Sequence, residues 1–179
     1  MRTWKTYAAF ASLSFAAAFA PPTLAQTPGE SANGHGTLPG VDENGKAVKR
    51  QFSFEAQRKA DGSVTGHATL INPAFKPGGK APYQLQVDIS CMHIVGNVAI
   101  LGGSTKRTND PSLVDAVFFT AQDNGEPGKN DRLSRAYFWD GDPNTQGPPS
   151  ACMDTGPTDF PLEPIEAGNI QVRNGVNVP

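Results

Sequence analysis

From residue 51 onward, apolar and polar residues alternate with a period of two. In QFSFEAQR, Phe52, Phe54 and Ala56 fall on one side, and Ser53, Glu55 and Gln57 on the other. A strand sorts such a pattern into two faces, whereas a helix would scatter it around its circumference. Asp61-Gly62 supplies a hairpin turn, because the pair tolerates the positive φ angles that tight hairpins demand. SVTGHATLI then sets Val64, Gly66, Ala68 and Leu70 against Thr65, His67 and Thr69, so His67 is expected on an exposed strand face. INPAFKPGGKAP, residues 71–82, carries three prolines and reads as a loop.

YQLQVDISC gives the clearest alternation, with Tyr83, Leu85, Val87, Ile89 and Cys91 on one face. The run continues through MHIV, turns at Gly96-Asn97 and returns as VAILGG. With those two residues as the whole turn, Val95 faces Val98, His93 faces Ile100 and Cys91 faces Gly102. Met92, Ile94, Ala99 and Leu101 then share the other face, which is also apolar. This hairpin is expected at the centre of the fold, covered on both sides, with Gly102 leaving space opposite a disulfide.

LVDAVFFTAQ (113–122) reads as the next strand and RLSRAYFW (132–139) as its partner, with DNGEPGKND (123–131) between them. Residues 140–164 hold six prolines and three glycines, and no strand or helix of ordinary length fits there. IEAGNIQVRN, with Ile170 and Val172 in alternation, closes the chain's pattern as a last strand. No apolar repeat at helical spacing follows residue 25. The expectation is an all-β chain of about seven strands without significant helix after its leader. An antiparallel β-sandwich is favoured, with a closed β-barrel as the alternative.

The first residues change the compartment. Arg2 and Lys5 precede an uncharged apolar stretch from Tyr7 to Ala20, two prolines follow, and Thr23-Leu24-Ala25 offers small residues for cleavage. Residues 1–25 therefore read as a secretory signal peptide, too short and alanine-rich for a spanning helix of about 20 apolar residues. Residues 26–50 are glycine-, asparagine- and charge-rich, and are expected as a flexible leader with room for one short strand. Residues 51–179 are expected as a single β-domain, secreted or periplasmic after cleavage near Ala25. No later stretch is long or apolar enough to insert in a membrane. Without Arg2 and Lys5, 13 basic residues face 17 acidic ones. That balance, with no basic face, excludes nucleic acid as the natural partner, and no polybasic run addresses an anionic membrane.

Cys91 and Cys152 are the two cysteines, and an even pair in an oxidising compartment most simply forms a disulfide. Chain-entropy arithmetic for so long a loop gives on the order of 4 kcal/mol. A nucleophilic Cys91 would need a tuned base, and His93, two residues along the same strand face, is not one. His35, in a Gly-His-Gly segment, has no partner at ligand spacing and reads as loop.

The acidic loop fails the helix-loop-helix calcium pattern, since Gly125 and Pro127 stand where oxygen ligands are needed. A looser calcium site from Asp123, Asn124, Glu126, Asn130 and Asp131 competes with a plain solvated hairpin connection, for which turn chemistry accounts for every residue type. No other cofactor is implied. Glycosidase-like chemistry would require two carboxylates facing each other across a cleft with separated pKa values. Acids of the 123–131 loop, with Asp140, Asp142 and Asp154, are the candidates, and no hydrolase, metalloprotease or nucleotide motif accompanies them. Tyr137 and Trp139 share a strand face opposite Phe138 and are candidates for stacking on a ligand.

Four stretches recur together: FSFEAQRKADGSVTGH (52–67 in its spaced residues), VGNVA (95–99), DNGEPGKND (123–131) and AGNIQV (167–172). In that order they resemble small exported bacterial proteins labelled as post-COAP-like domains, over about residues 50–173. The long 140–164 segment departs from the pattern. The resemblance implies an exported all-β domain and carries over no catalytic residue. The functional expectation is an exported, non-enzymatic binding or structural domain with an extracellular ligand or cell-envelope partner. A secreted hydrolase using loop carboxylates is the alternative.

Overall fold

The computed structural model describes residues 29–79, 81–140 and 146–175; the expected signal peptide and Asp142 lie outside them. Among the described residues the chain forms ten antiparallel strands. They are β1 (Ser31–Val41), β2 (Ala47–Arg58), β3 (Val64–Asn72), β4 (Tyr83–Val95), β5 (Val98–Thr108), β6 (Ala116–Gln122), β7 (Arg132–Ser134), β8 (Tyr137–Phe138), β9 (Leu162–Pro164) and β10 (Ala167–Arg173). The order across the sheet is β10-β1-β2-β3-β4-β5-β6-β7-β9, with β8 also on β6. Among the described residues helix is confined to two short 3₁₀ turns, Pro77–Gly79 and Pro149–Asp154.

The sheet folds over on itself as a sandwich. Phe54 of β2 meets Phe119 of β6 edge-on, with ring centroids 5.5 Å apart. Around them the inward residues of every long strand form one core: Phe52, Ala68, Leu85, Val87, Leu101, Val117 and Ile170 among them. The alternation in the sequence is therefore the alternation of burial. The β4–β5 hairpin keeps the expected register, with Val95 opposite Val98, His93 opposite Ile100 and Cys91 opposite Gly102.

Its second face is covered too. Cys91, Ile100, Ala116, Phe118 and Cys152 form a smaller cluster beneath the Pro149–Asp154 turn. The Cys91–Cys152 disulfide, with Cα atoms 6.1 Å apart, ties that turn to β4. A Cβ on Gly102 would lie 2.5 Å from the Pro149 carbonyl oxygen and 3.0 Å from the Cys152 Cβ. Only a glycine lets the proline-rich segment approach the sheet so closely.

Four expectations need correction. There are ten strands rather than seven. Residues 31–41, inside the expected flexible leader, form an eleven-residue strand paired along its length with β2. The partner of β6 is not one strand but two, β7 and β8, offset by one residue in their pairing with β6. At the break the Ser134 hydroxyl oxygen, rather than a carbonyl, accepts from the Thr120 N–H at 2.8 Å. A register shift between Ile89 and Cys91 turns Cys91 away from the face of Tyr83, Leu85, Val87 and Ile89 and into the smaller cluster. The 140–164 segment is as expected: among the described residues it holds only the six-residue 3₁₀ turn and the three-residue β9.

The barrel alternative also gives way, because the backbone ladder does not close. β9 and β10 stand at opposite ends of the strand order yet are joined by only Ile165 and Glu166. That link crosses the seam between the sheet's two ends: the Ile165 N–H donates to the Asp131 carbonyl at 3.0 Å, and the Glu166 N–H to that of Thr37 at 2.7 Å.

Candidate functional site

The seam explains the acidic loop. Ile170 and Val172, alternate residues of β10, turn their N–H groups away from β1. The Ile170 N–H donates to Asp131 Oδ2 at 2.7 Å and the Val172 N–H to Asp123 Oδ2 at 3.0 Å. Each carboxylate's other oxygen holds the loop itself: Asp131 Oδ1 accepts from the Asn124 N–H at 2.8 Å, and Asp123 Oδ1 from the Gly125 N–H at 2.9 Å. Glu126 Oε1 accepts from Asn169 at 3.0 Å and from Gln171 at 3.1 Å. The Asn124 amide donates to the Asn130 carbonyl and its Oδ1 accepts from Asn97. Two carboxylates thus stand where the carbonyls of a neighbouring strand would be. Among the described residues, no group of three or more His, Cys, Asp or Glu side chains is arranged to hold a metal ion.

The same end of the sandwich is plugged. Arg58 continues the inward face of β2 beyond Ala56, and its side chain is buried. Its Nε donates to Glu30 at 2.7 Å, Nη1 to the Gly62 carbonyl at 3.1 Å, and Nη2 to the Met92 carbonyl. A buried guanidinium needs such partners, since an unpaired one would cost several kcal/mol.

The opposite end is open. Between the end of β1, the start of β2, the end of β3 and the β7–β8 break lies a cavity of about 590 Å³. Leu38, Leu70, Tyr83, Leu113, Leu133, Ala136 and Phe138 make its walls. Phe75, 46% exposed, and Val41 stand at its lip, and they are two of the four large apolar side chains exposed among the described residues. Pockets of this size, largely apolar with a few placed polar groups, are the usual form of small-molecule sites.

Its charged groups are Arg50, Arg135 and Glu163. Arg50 is the inward residue of β2 on the other side of Phe52, so the inner face of that strand runs Arg50, Phe52, Phe54, Ala56, Arg58. Its Nε and Nη2 donate to the Pro39 carbonyl at 3.1 and 2.8 Å, and Nη2 also reaches Glu163 Oε2. Arg135 Nε donates to Glu163 Oε1 at 2.6 Å. Burial works to raise the Glu163 carboxyl, but the hydrogen bonds and charges of Arg50 and Arg135 outweigh it and hold the group below its ordinary value. Burial pushes the Tyr83 phenol up, with the Asp110 charge adding to the shift and the Thr108 hydroxyl opposing it.

A second, smaller hollow of about 320 Å³ lies outside the sheet, beside the disulfide-held turn. Tyr137 and Trp139 face it, as their alternation implies, while Phe138 packs toward the main core. Tyr137 is stacked on Phe160 at 4.5 Å, so one ring face is covered; Trp139 leans on Phe118 and stays 51% exposed. Asp154 lines this hollow. Asp140 sits at the end of β8, where its N–H donates to the buried carboxylate of Asp115 at 3.1 Å. His67 is exposed and 3.4 Å from Glu55, as expected of an outward strand position.

Arg50, Arg58, Glu30, Arg135 and Glu163 belong to no motif visible in the sequence. The period of two around Phe52 and Phe54, carried one step in each direction, would have found both inward arginines. No family model matches the chain, and comparisons with the curated proteins and with the solved structures find no match either.

Proposed function

We propose that this chain is an exported, non-catalytic binding domain that takes a small, largely apolar ligand into the open end of its sandwich. One observation carries the reading: the sandwich is plugged by Arg58 and Glu30 at one end and hollow, with an apolar wall and lip, at the other. Exposed Phe75 and Val41 would be covered by an occupant, which gives their exposure a use. Of the carboxylates named for a hydrolase, Asp123, Glu126 and Asp131 are engaged in holding β10. The disulfide is compatible with the periplasm or the medium, and no helix among the described residues is long and apolar enough to cross a membrane. The resemblance to exported post-COAP-like domains agrees with this reading.

A neutral, environment-sensitive probe such as N-phenyl-1-naphthylamine tests it. Saturable one-to-one binding that brightens the dye is expected, and Ala136→Phe, which fills the cavity, should abolish it while the circular dichroism stays that of the parent. Phe75→Ala at the lip should weaken binding. Absence of saturable binding, or binding indifferent to both substitutions, would overturn the proposal.

A second reading rests on Trp139, whose half-exposed indole offers a flat face to a sugar ring or partner. Quenching of its fluorescence by soluble oligosaccharides, with calorimetric binding of the same sugars lost in Trp139→Ala, is the result that reading requires.

A further inference from the structure

Resting on the reading of the open end as a ligand site, we infer that its ligand is an anion: an apolar body ending in a single carboxylate. The charged residues lining the cavity are Arg50, Arg135 and Glu163. Two guanidiniums against one carboxylate leave one positive charge at the mouth of an otherwise apolar hollow.

The three groups are not equally committed. Both Glu163 oxygens are engaged, Oε1 by Arg135 and Oε2 by Arg50. Arg50 is further satisfied by the Pro39 carbonyl, and its side chain is only 14% exposed. Arg135 is different. Its Nε is held by Glu163, its side chain is 69% exposed, and its terminal nitrogens make no hydrogen bond among the described residues. Glu163 therefore anchors the guanidinium at the rim and leaves the planar Nη1–Nη2 edge to a further partner. That edge matches a carboxylate, which it can take with two parallel, charge-assisted hydrogen bonds.

Other head groups fit worse. An ammonium would approach two guanidiniums and find the one carboxylate already occupied. An alcohol could enter the apolar part but would gain a neutral hydrogen bond only. Arg135, in the chain between β7 and β8, lines the cavity together with Leu133 and Ala136, so a single molecule can reach the apolar wall and the cation together.

The test uses ligands of one length and three charges: decanoate, decanol and decyltrimethylammonium, each displacing the neutral dye from the purified protein at a pH where decanoate is ionised. A charge-assisted hydrogen bond exceeds a neutral one by enough to predict that decanoate displaces the dye at about tenfold lower concentration than decanol, with the ammonium weakest. The decanoate-to-decanol ratio cancels any change in the dye's own affinity. In Arg135→Gln that ratio should fall close to one, whereas Lys106→Gln, which removes a charge from the outer sheet face, should leave it unchanged. Equal displacement by decanoate and decanol, or a ratio that survives Arg135→Gln, would overturn the inference while the cavity reading stands. Failure of the dye to bind at all would sink the cavity reading itself.

Discussion

The Asp131 carboxylate accepts a 2.7 Å hydrogen bond from the backbone N–H of Ile170, 39 residues further along the chain, and its side chain is 0% exposed. With its other oxygen on the Asn124 N–H, it is a buried anion held between two main-chain donors. The seam of the sandwich is closed there by a side chain rather than by a strand. Asp131→Asn preserves the shape but has one oxygen, so one donor must face an amide NH₂. Leaving a buried donor unsatisfied costs about 1–3 kcal/mol, and equilibrium urea denaturation should show a loss of that order. Asp61→Asn, on the exposed hairpin turn between β2 and β3, should stay within about 0.5 kcal/mol of the parent. Equal losses for the two would remove Asp131 from the role described.

The same hydrogen bonds bear on calcium. All four oxygens of Asp123 and Asp131 accept from backbone N–H groups, and a cation at those oxygens would face the donors that now bind them. The melting temperature is therefore expected to be the same in added calcium and in chelator. A native-state ligand at 100 times its Kd would add roughly 2.7 kcal/mol, so a rise with calcium that chelator reverses would show that the loop opens to take the ion.

The disulfide and Gly102 act on one contact, the docking of the Pro149–Asp154 turn on β4 and β5. Replacing both cysteines by alanine releases a loop of 61 residues and should lower stability by about 3–5 kcal/mol. Gly102→Ala attacks the contact from the other side, because its Cβ would meet the Pro149 oxygen at 2.5 Å. A loss of about 1–3 kcal/mol is expected with the disulfide intact. In the cysteine-free background the turn is free to lift, so Gly102→Ala should cost much less there. Thermal melts of the four proteins decide it, and strictly additive losses would mean the two features do not share a contact.

What was legible in the chain follows the reach of each interaction. Next to its turn the β4–β5 hairpin could be read from the sequence, because a two-residue turn and a period of two determine register locally; the irregularity between Ile89 and Cys91, which turns Cys91 to the other face, could not. β1 could not, since its glycines look like loop composition. Gly34 is a strand residue whose missing side chain makes room for its neighbours: a Cβ there would lie 2.7 Å from the Phe54 ring and 2.9 Å from Ile170. The glycine is a consequence of bulk on two other strands, and only the assembled sheet displays that. The seam is harder still. Asp123 and Asp131 have the residue types of a metal loop, and their true partners lie in β10, beyond any spacing rule. The cavity's charged rim joins β2, the β7–β8 break and β9 for the same reason.

Glu163 makes that rim sensitive to pH. Its folded pKa lies below its ordinary value despite burial, because Arg50 and Arg135 favour the charged form. A carboxylate with a lowered folded pKa adds stability that is complete above its unfolded pKa, about 4.3, and is lost as pH falls through the folded value. Glu163→Gln carries no charge at any pH. Parent and variant should therefore differ at pH 7, by up to about 1 kcal/mol given the exposure of Arg135, and should converge as pH falls through the folded value. High salt should narrow the gap at neutral pH, since Arg135 is largely solvent-exposed. Denaturation curves at several pH values check the direction. A gap that stays constant down to acid pH, or widens there, would mean that the carboxylate's charge does not hold Arg50 and Arg135 in place.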